Sequence, residues 1–233
     1  MDTSVLFQSE DKNLFSKKNY HIIMAHHEVI VVGGGSAGIT VAAMLRNSAN
    51  PPAVTIIDPS EKHYYQPIWT LVGAGVFPKE VSERSEADYI PPGANWVKDS
   101  VASFDPDNNG LTLSSGESHT YDVLVVTAGI QINWDAIPGL KESVGKAGTG
   151  VCSNYSFDTV DSTWENIRNL KKGTAIFTHP STPIKCGGAP IKITYLASDH
   201  WRRNGLGSQV KKKFIKGGPG IFAVKKYADS LTK

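Results

Sequence analysis

The apolar positions of this chain fall in short runs cut by glycine, and the first decisive one is Val29-Ile30-Val31-Val32, which stops at Gly33-Gly34-Gly35. An unbroken branched run fits a strand buried on both faces. Helical spacing follows Gly38, and Val54-Thr55-Ile56-Ile57 repeats the strand signature before Asp58. Farther on, Asn95 to Phe104, Gly110 to Ser114 and Glu117 to Tyr121 alternate apolar with polar around Asp107-Asn108-Asn109-Gly110. This predicts antiparallel hairpin strands. The run from Tyr121 to Gly129 is apolar throughout and ends in Thr127-Ala128-Gly129, as a buried parallel strand does when its end approaches a ligand. Between these elements, Pro59 to Pro92 is aromatic and proline-punctuated, and reads as an excursion lining a ligand.

The second half begins the pattern again. A helix is predicted over Phe157 to Leu170, a strand over Thr174 to Thr178, and then a turn through Pro180, Pro183, Cys186, Gly187 and Gly188. Pro190 suits the first turn of a helix, where Ile191, Tyr195, Leu196 and Trp201 recur at near-helical spacing. Only Val210 to Ile215 and Ile221 to Val224 remain as further candidates. So few units cannot cover both faces of a sheet, and the second domain is expected to be incomplete.

Composition narrows the class without deciding it. The 233 residues carry 24 Lys and Arg against 22 Asp and Glu, and 40% hydrophobic content suffices for an ordinary core. Arg202, Arg203, Lys211, Lys212, Lys213, Lys216, Lys225 and Lys226 gather near the C-terminus; without interleaved aromatic residues they read as a solvated face, not a nucleic-acid site. No run reaches the roughly 20 apolar residues a bilayer span needs. Residues 1–26 form a leader of mixed charge, unlike a transit peptide, and are expected to be disordered.

The chemistry concentrates at the two turns. Gly33 allows a tight bend, Gly35 leaves no Cβ in the way of a pyrophosphate, and Gly38 permits close packing of helix on strand; free N–H groups at the helix start meet the phosphates. Asp58, about twenty residues past Gly38, is placed to accept from a ribose hydroxyl. At the second turn Cys186 lies between a strand end and a helix start, flanked by Lys185 and Lys192. A free cysteine is ordinarily an inert core residue, but a helix N-terminus and nearby ammonium groups favour the thiolate, the nucleophilic form. Cys152 has no such helix and reads as a linker or buried thiol. With no metal-ligand spacing and no nucleophile elbow, the hard chemistry falls to a cofactor. NAD and FAD both suit the bend; the hairpin region followed by the Thr127-Ala128-Gly129 ending resembles the second fingerprint of the two-dinucleotide-binding flavoproteins, and that resemblance favours FAD.

Three longer motifs carry a specific resemblance: Lys62 to Gly75, Thr182 to Ile193 (Thr-Pro-Ile-Lys-Cys-Gly-Gly-Ala-Pro-Ile-Lys-Ile) and Val224 to Asp229. Together they resemble the eukaryotic mitochondrial sulfide:quinone oxidoreductases, with similarity running from about His27 to Leu231. The resemblance implies an α/β chain with a Rossmann-like FAD-binding domain over 27–150, an inserted antiparallel hairpin region, and an incomplete second Rossmann-like domain over 151–233. It further implies a flavoprotein of the mitochondrial inner membrane that oxidises hydrogen sulfide, passes electrons through FAD to ubiquinone, and gives the sulfane sulfur to a small thiol or sulfite. Carried over to matching positions, Gly33, Gly35, Ser36, Ala37 and Gly38 cradle the pyrophosphate, Asp58 holds the ribose, and Gln66 and the Val101 backbone touch the cofactor, with Thr127, Ala128 and Gly129 at the strand end. Cys186 matches the cysteine that becomes a persulfide after sulfide attacks a disulfide, the released thiolate then attacking the flavin. The family's second catalytic cysteine, its late Gly-Asp motif and its C-terminal membrane and quinone elements are expected beyond Lys233. Two alternatives stand beside this reading: a non-catalytic nucleotide-binding chain, and an NADH:quinone oxidoreductase. The latter is disfavoured by Cys-Gly-Gly-Ala-Pro standing where a nicotinamide domain carries its glycine fingerprint.

Overall fold

The computed structural model describes residues 25–182 and 184–232, and the expectation for the leader falls, but for its last two residues, outside them. The chain opens with β1 (Ala25–Val32), turns through the three glycines into α1 (Ser36–Arg46) and returns as β2 (Val54–Ile57). β1 and β2 run parallel, Val29 opposite Val54 and Val32 opposite Ile57. The excursion follows, holding β3 (Lys62–Tyr64), the single helical turn α2 (Trp69–Val72) and β4 (Glu83–Ser85), with β3 and β4 paired antiparallel. Next come β5 (Asn95–Val97), β6 (Val101–Asp105), β7 (Gly110–Leu113) and β8 (Ser118–Val126). They complete a six-stranded sheet ordered β5-β2-β1-β8-β7-β6.

The apolar run of β1 is buried on both sides because alternate residues enter two cores. Val29 and Val31 pack with Val54, Ile56 and Ala42 of α1, while Ile30 and Val32 pack with Ile57, Leu111, Leu113 and Tyr121. Each such side chain contributes about 1.5–3 kcal/mol on burial. Removal of any one therefore loosens the strand that carries the bend.

Two strand expectations need correction. The alternating stretch Asn95 to Phe104 is two strands, not one hairpin arm: β5 pairs parallel with β2, whereas β6 pairs antiparallel with β7. Asp99 causes the break, since its carboxylate accepts the Ser100 and Ser115 N–H groups at 2.7 and 3.1 Å and turns the chain between them. The run after Tyr121 is parallel to β1 as expected, but it is not buried throughout. β7 pairs with β8 only as far as Thr120, so among the described residues the C-terminal half of β8 is a sheet edge and leaves Val123 and Val126 more than half exposed.

Beyond the short α3 (Leu140–Ser143), α4 (Val160–Asn169) leads to β9 (Gly173–His179), α5 (Ala189–Arg203), β10 (Val210–Lys216) and α6 (Lys225–Leu231). β9 and β10 form a separate two-stranded parallel sheet. Ile193, Ala197 and Trp201 of α5 pack on Ile167, Val210, Ala175 and Phe177. The candidate element over Ile221 to Val224 forms neither strand nor helix; the chain there is irregular, Phe222 turning against Tyr227 as α6 begins. Among the described residues no helix is long and apolar enough to cross a membrane.

One polar feature crosses the large sheet. His27 reaches Thr55 Oγ1 through Nδ1 at 3.0 Å and His119 Nδ1 through Nε2 at 2.9 Å. Such a bond needs one ring to donate and the other to accept, so both rings cannot be protonated together. Burial, and then the facing His119, hold His27 below its ordinary value, and burial does the same to His179 and His200. The unfolded chain therefore takes up these protons first as pH falls. The stability they lend is complete above about pH 6.5 and declines as pH drops through the lowered folded values. Thermal melts followed by circular dichroism should show a lower midpoint at pH 5.5 than at pH 7.5, with the difference narrowed in His27→Gln.

Candidate functional site

The bend between β1 and α1 is fastened by contacts that leave no room for side chains. Gly33 adopts a φ of +102°, and a Cβ there would stand 2.5 Å from the Thr127 carbonyl oxygen. A Cβ on Gly38 would overlap the Gly33 carbonyl oxygen and lie 2.8 Å from Thr127 Oγ1. The Thr127 hydroxyl reaches the Val32 and Gly33 carbonyls at 2.9 and 3.1 Å, its N–H donates to Val32, and the Gly33 N–H donates to Ile57. These groups build the bend, and Thr127 spends its hydroxyl on it.

Gly35 is different in kind. Its backbone is extended at φ −64° and nothing lies within 4 Å of the place a Cβ would occupy. Gly35, Ser36 and Ala37 are exposed, α1 has no capping side chain, and its first turn holds no acid. The unpaired N–H groups of a helix start, with the positive end of its dipole, thus face open space. That is the cradle a diphosphate requires.

Asp58, half-buried at the end of β2, accepts the Gly34 N–H at 2.6 Å through Oδ2 and the Ser60 N–H at 2.7 Å through Oδ1. Trp96 Nε1 donates to its carbonyl at 2.9 Å and holds the strand end in place. Each carboxylate oxygen keeps a further lone pair for a hydroxyl donor. Ala128 and Gly129 lie exposed beyond β8, Val101 packs under the sheet, and Gln66 is exposed on the excursion. The structure brings Gly33, Gly34, Gly38, Asp58 and Thr127 into contact around one bend.

Sequence reasoning missed Gly34 and Glu86; His63 stood out beside Tyr64-Tyr65 but was given no role. Glu86 is 2% exposed, and its Oε1 stands 2.6 Å from where a Cβ on Gly34 would be. Its Oε2 lies 3.1 Å from His63 Nδ1, and Tyr89 stacks on His63 with centroids 5.1 Å apart. Burial pushes the Glu86 carboxyl above its ordinary range; His63 pulls it back, and Asp58 adds to the rise. The one signal available in the sequence was the ligand-lining look of the excursion.

Cys186 is exposed in the turn before α5. Its carbonyl accepts the Ala189 N–H at 3.1 Å and the Tyr155 hydroxyl at 2.9 Å, so the turn is held from both sides. Burial, reinforced by Cys186, pushes the Tyr155 hydroxyl up to about 12. Desolvation pulls Lys185 down, and the adjoining thiol partly restores it. The cavity beside this turn, about 410 Å³, is lined by Gly188, Ile191 and Phe222 with Tyr227 and Leu231 of α6, and by no residue of the glycine bend.

The sequence model described as pyridine nucleotide-disulphide oxidoreductase matches residues 27–163, which include the whole six-stranded sheet except two residues of β1. The chain belongs to this family. Its members named "Sulfide:quinone oxidoreductase, mitochondrial" include one from Dictyostelium discoideum, 48% identical over 84% of this chain and 43% of its own length, and one from Mus musculus, 44% identical over 83% and 43%. The chain thus spans less than half the length of these curated relatives. The solved sulfide:quinone oxidoreductase of the hyperthermophilic bacterium Aquifex aeolicus superposes with a TM-score of 0.67 at 21% identity, covering 84% of this chain and 44% of that one. At that identity it shows the shared α/β fold, as the family's sheet and bend do here.

The bend itself is open to test. Gly38→Ala forces a methyl into the Gly33 carbonyl and should cost about 3 kcal/mol, the upper end of ordinary overpacking. Thr127→Val removes the hydroxyl alone and should cost about 1 kcal/mol. Urea unfolding of the two variants beside wild type measures both.

Proposed function

We propose that this chain forms the FAD-binding part of a sulfide:quinone oxidoreductase and supplies one of its sulfur-bearing thiols, Cys186. The observation that carries the reading is the uncapped start of α1 beside an open Gly35, with the Asp58 carboxylate across the bend. These residues fit an adenine dinucleotide: the N–H groups of Gly35, Ser36 and Ala37 would take the pyrophosphate, and Asp58 a ribose hydroxyl. Gln66, the Val101 backbone and the strand end Thr127-Ala128-Gly129 would flank the cofactor. Bound FAD supplies a two-electron acceptor linking sulfide oxidation to ubiquinone.

The role of Cys186 follows from thiol exchange. Sulfide anion attacks a disulfide that includes Cys186, the sulfur–sulfur bond breaks, Cys186 keeps the added sulfur as a persulfide, and the partner sulfur leaves as thiolate with the electron pair. A small thiol or sulfite then takes the outer sulfur. Tyr155 and the first turn of α5 hold the Cys186 carbonyl, which keeps the thiol at the surface where sulfide arrives. The reading places the protein in the mitochondrion at the inner membrane, and divides it into a cofactor domain to residue 150 and a second unit beyond.

A second reading is favoured by one observation: the cavity beside Cys186 shares no residue with the glycine bend. A chain that binds nucleotide without turning over would look the same. Purified protein reconstituted with FAD, its Cys186 first joined to a small thiol as a mixed disulfide, should retain flavin absorption, and sulfide should bleach it without air. Cys186→Ser should keep the colour and lose the bleaching. Gly35→Val, which fills open space, should melt within about 0.5 kcal/mol of wild type yet fail to hold flavin. Retained flavin that sulfide leaves coloured would favour the second reading, and no retained flavin would overturn both.

A further inference from the structure

Behind the glycine bend lies a buried acid that neither the fastening of the bend nor the thiol chemistry uses. Glu86 follows β4 directly, and the pairing of β3 with β4, His63 opposite Arg84, carries it to the end of β2. His63 occupies only Oε2. Oε1 is buried without a hydrogen-bond partner among the described residues, and it faces the bend: the site of an absent Gly34 Cβ lies 2.6 Å from it and 3.3 Å from Asp58 Cγ. Two carboxyl groups therefore flank one glycine. Beyond His63 on Oε2, neither Lys62 nor Arg84 answers them, because Lys62 is engaged by Glu83 at 2.6 Å and Arg84 by the carbonyls of Val81 and Glu83. An unmet buried carboxyl oxygen is costly, and its retention at a binding bend asks for a reason.

We propose that Glu86 is a specificity-determining residue of the dinucleotide site: its carboxylate puts a second negative charge behind Asp58, so that the bend accepts an adenine nucleotide with free ribose hydroxyls and rejects one carrying a 2′-phosphate. This rests on the reading that the bend binds an adenine dinucleotide. A hydroxyl brings a donor to the acid pair and gains from it. A phosphate at the same strand end meets two like charges where one would already oppose it, in a partly buried setting that salt screens weakly. Glu86 acts here through Asp58 and the field at the bend; His63 fixes which of its oxygens is turned that way.

The test compares ADP-ribose with 2′-phospho-ADP-ribose, which differ only at that hydroxyl, by calorimetric titration of the flavin-free full chain at pH 8. Wild type should prefer ADP-ribose. In Glu86→Gln the preference should shrink by about tenfold or more, chiefly through tighter binding of the phosphorylated ligand. Glu86→Asp, which keeps the charge, should retain most of it. If Glu86→Gln does not fold, Glu86→Met removes the same charge at similar length and is read in the same way. An unchanged preference in the uncharged variant, with ADP-ribose still bound, overturns the proposal and leaves the dinucleotide reading intact. Failure of wild type to bind either ligand overturns both.

Discussion

Everything the large sheet presents to a ligand depends on three backbones meeting at van der Waals distance with no side chain between them. Gly33 turns under the Thr127 carbonyl, Gly38 lets α1 start against the Gly33 carbonyl, and Thr127 ties the end of β1 to β8 with its hydroxyl and its N–H. The two cores make this junction affordable, because β1 is anchored on both faces by branched side chains and cannot slide by one residue without exchanging them. Rigidity at Gly33 and Gly38 then sets off the openness at Gly35. The same short sequence thus contains both the fastened glycines and, between them, a glycine with open space beside it.

Much of this was legible in the amino-acid order because it rests on local rules. The glycine spacing announced the bend, branched runs announced β1 and β2, and the Asn-Asn-Gly turn announced the β6–β7 hairpin, which closes with Asn109 in the left-handed region at φ +51°. What misled was period-two alternation across Asn95 to Phe104: it describes which residues face a core, and says nothing of which strand is the neighbour. Asp99 inserted a turn into that pattern without disturbing its alternation. Exposure along β8 was illegible for a related reason. An apolar run signals that a strand can be buried on both faces, while its cover is decided by chain far away in sequence.

The pair formed by His63 and Glu86 was the least legible feature of the site. Twenty-three positions separate the two, and the strands that bring them together are three residues each, too short to leave any periodicity. Nor does a glutamate in Ser-Glu-Ala-Asp look like anything but a solvated acid. Only the packing shows that it is buried against a glycine whose missing side chain makes the space. Cys186 is the opposite case: the strand, the turn and the proline at the helix start all placed it correctly before α5, but the tyrosine that holds its carbonyl lies 31 residues earlier in an irregular segment.

The excursion between β2 and β5 joins these two levels. Its first and last residues, through β3, β4 and the turn after them, deliver His63 and Glu86 to the back of the bend. Its middle does something else: Trp69 and Val72 of α2 bury against Val160 of α4, Ala74 packs into the core beneath α5, and Lys79 pairs with Asp161 at 3.1 Å while lying over Phe157. Gly75 sits flat on the Trp164 ring, where any Cβ would collide with the indole. One stretch of chain therefore touches both the acid behind the glycine bend and α5, which begins after the Cys186 turn. The excursion thereby joins the glycine bend to the helix that starts after Cys186 through one run of packed residues.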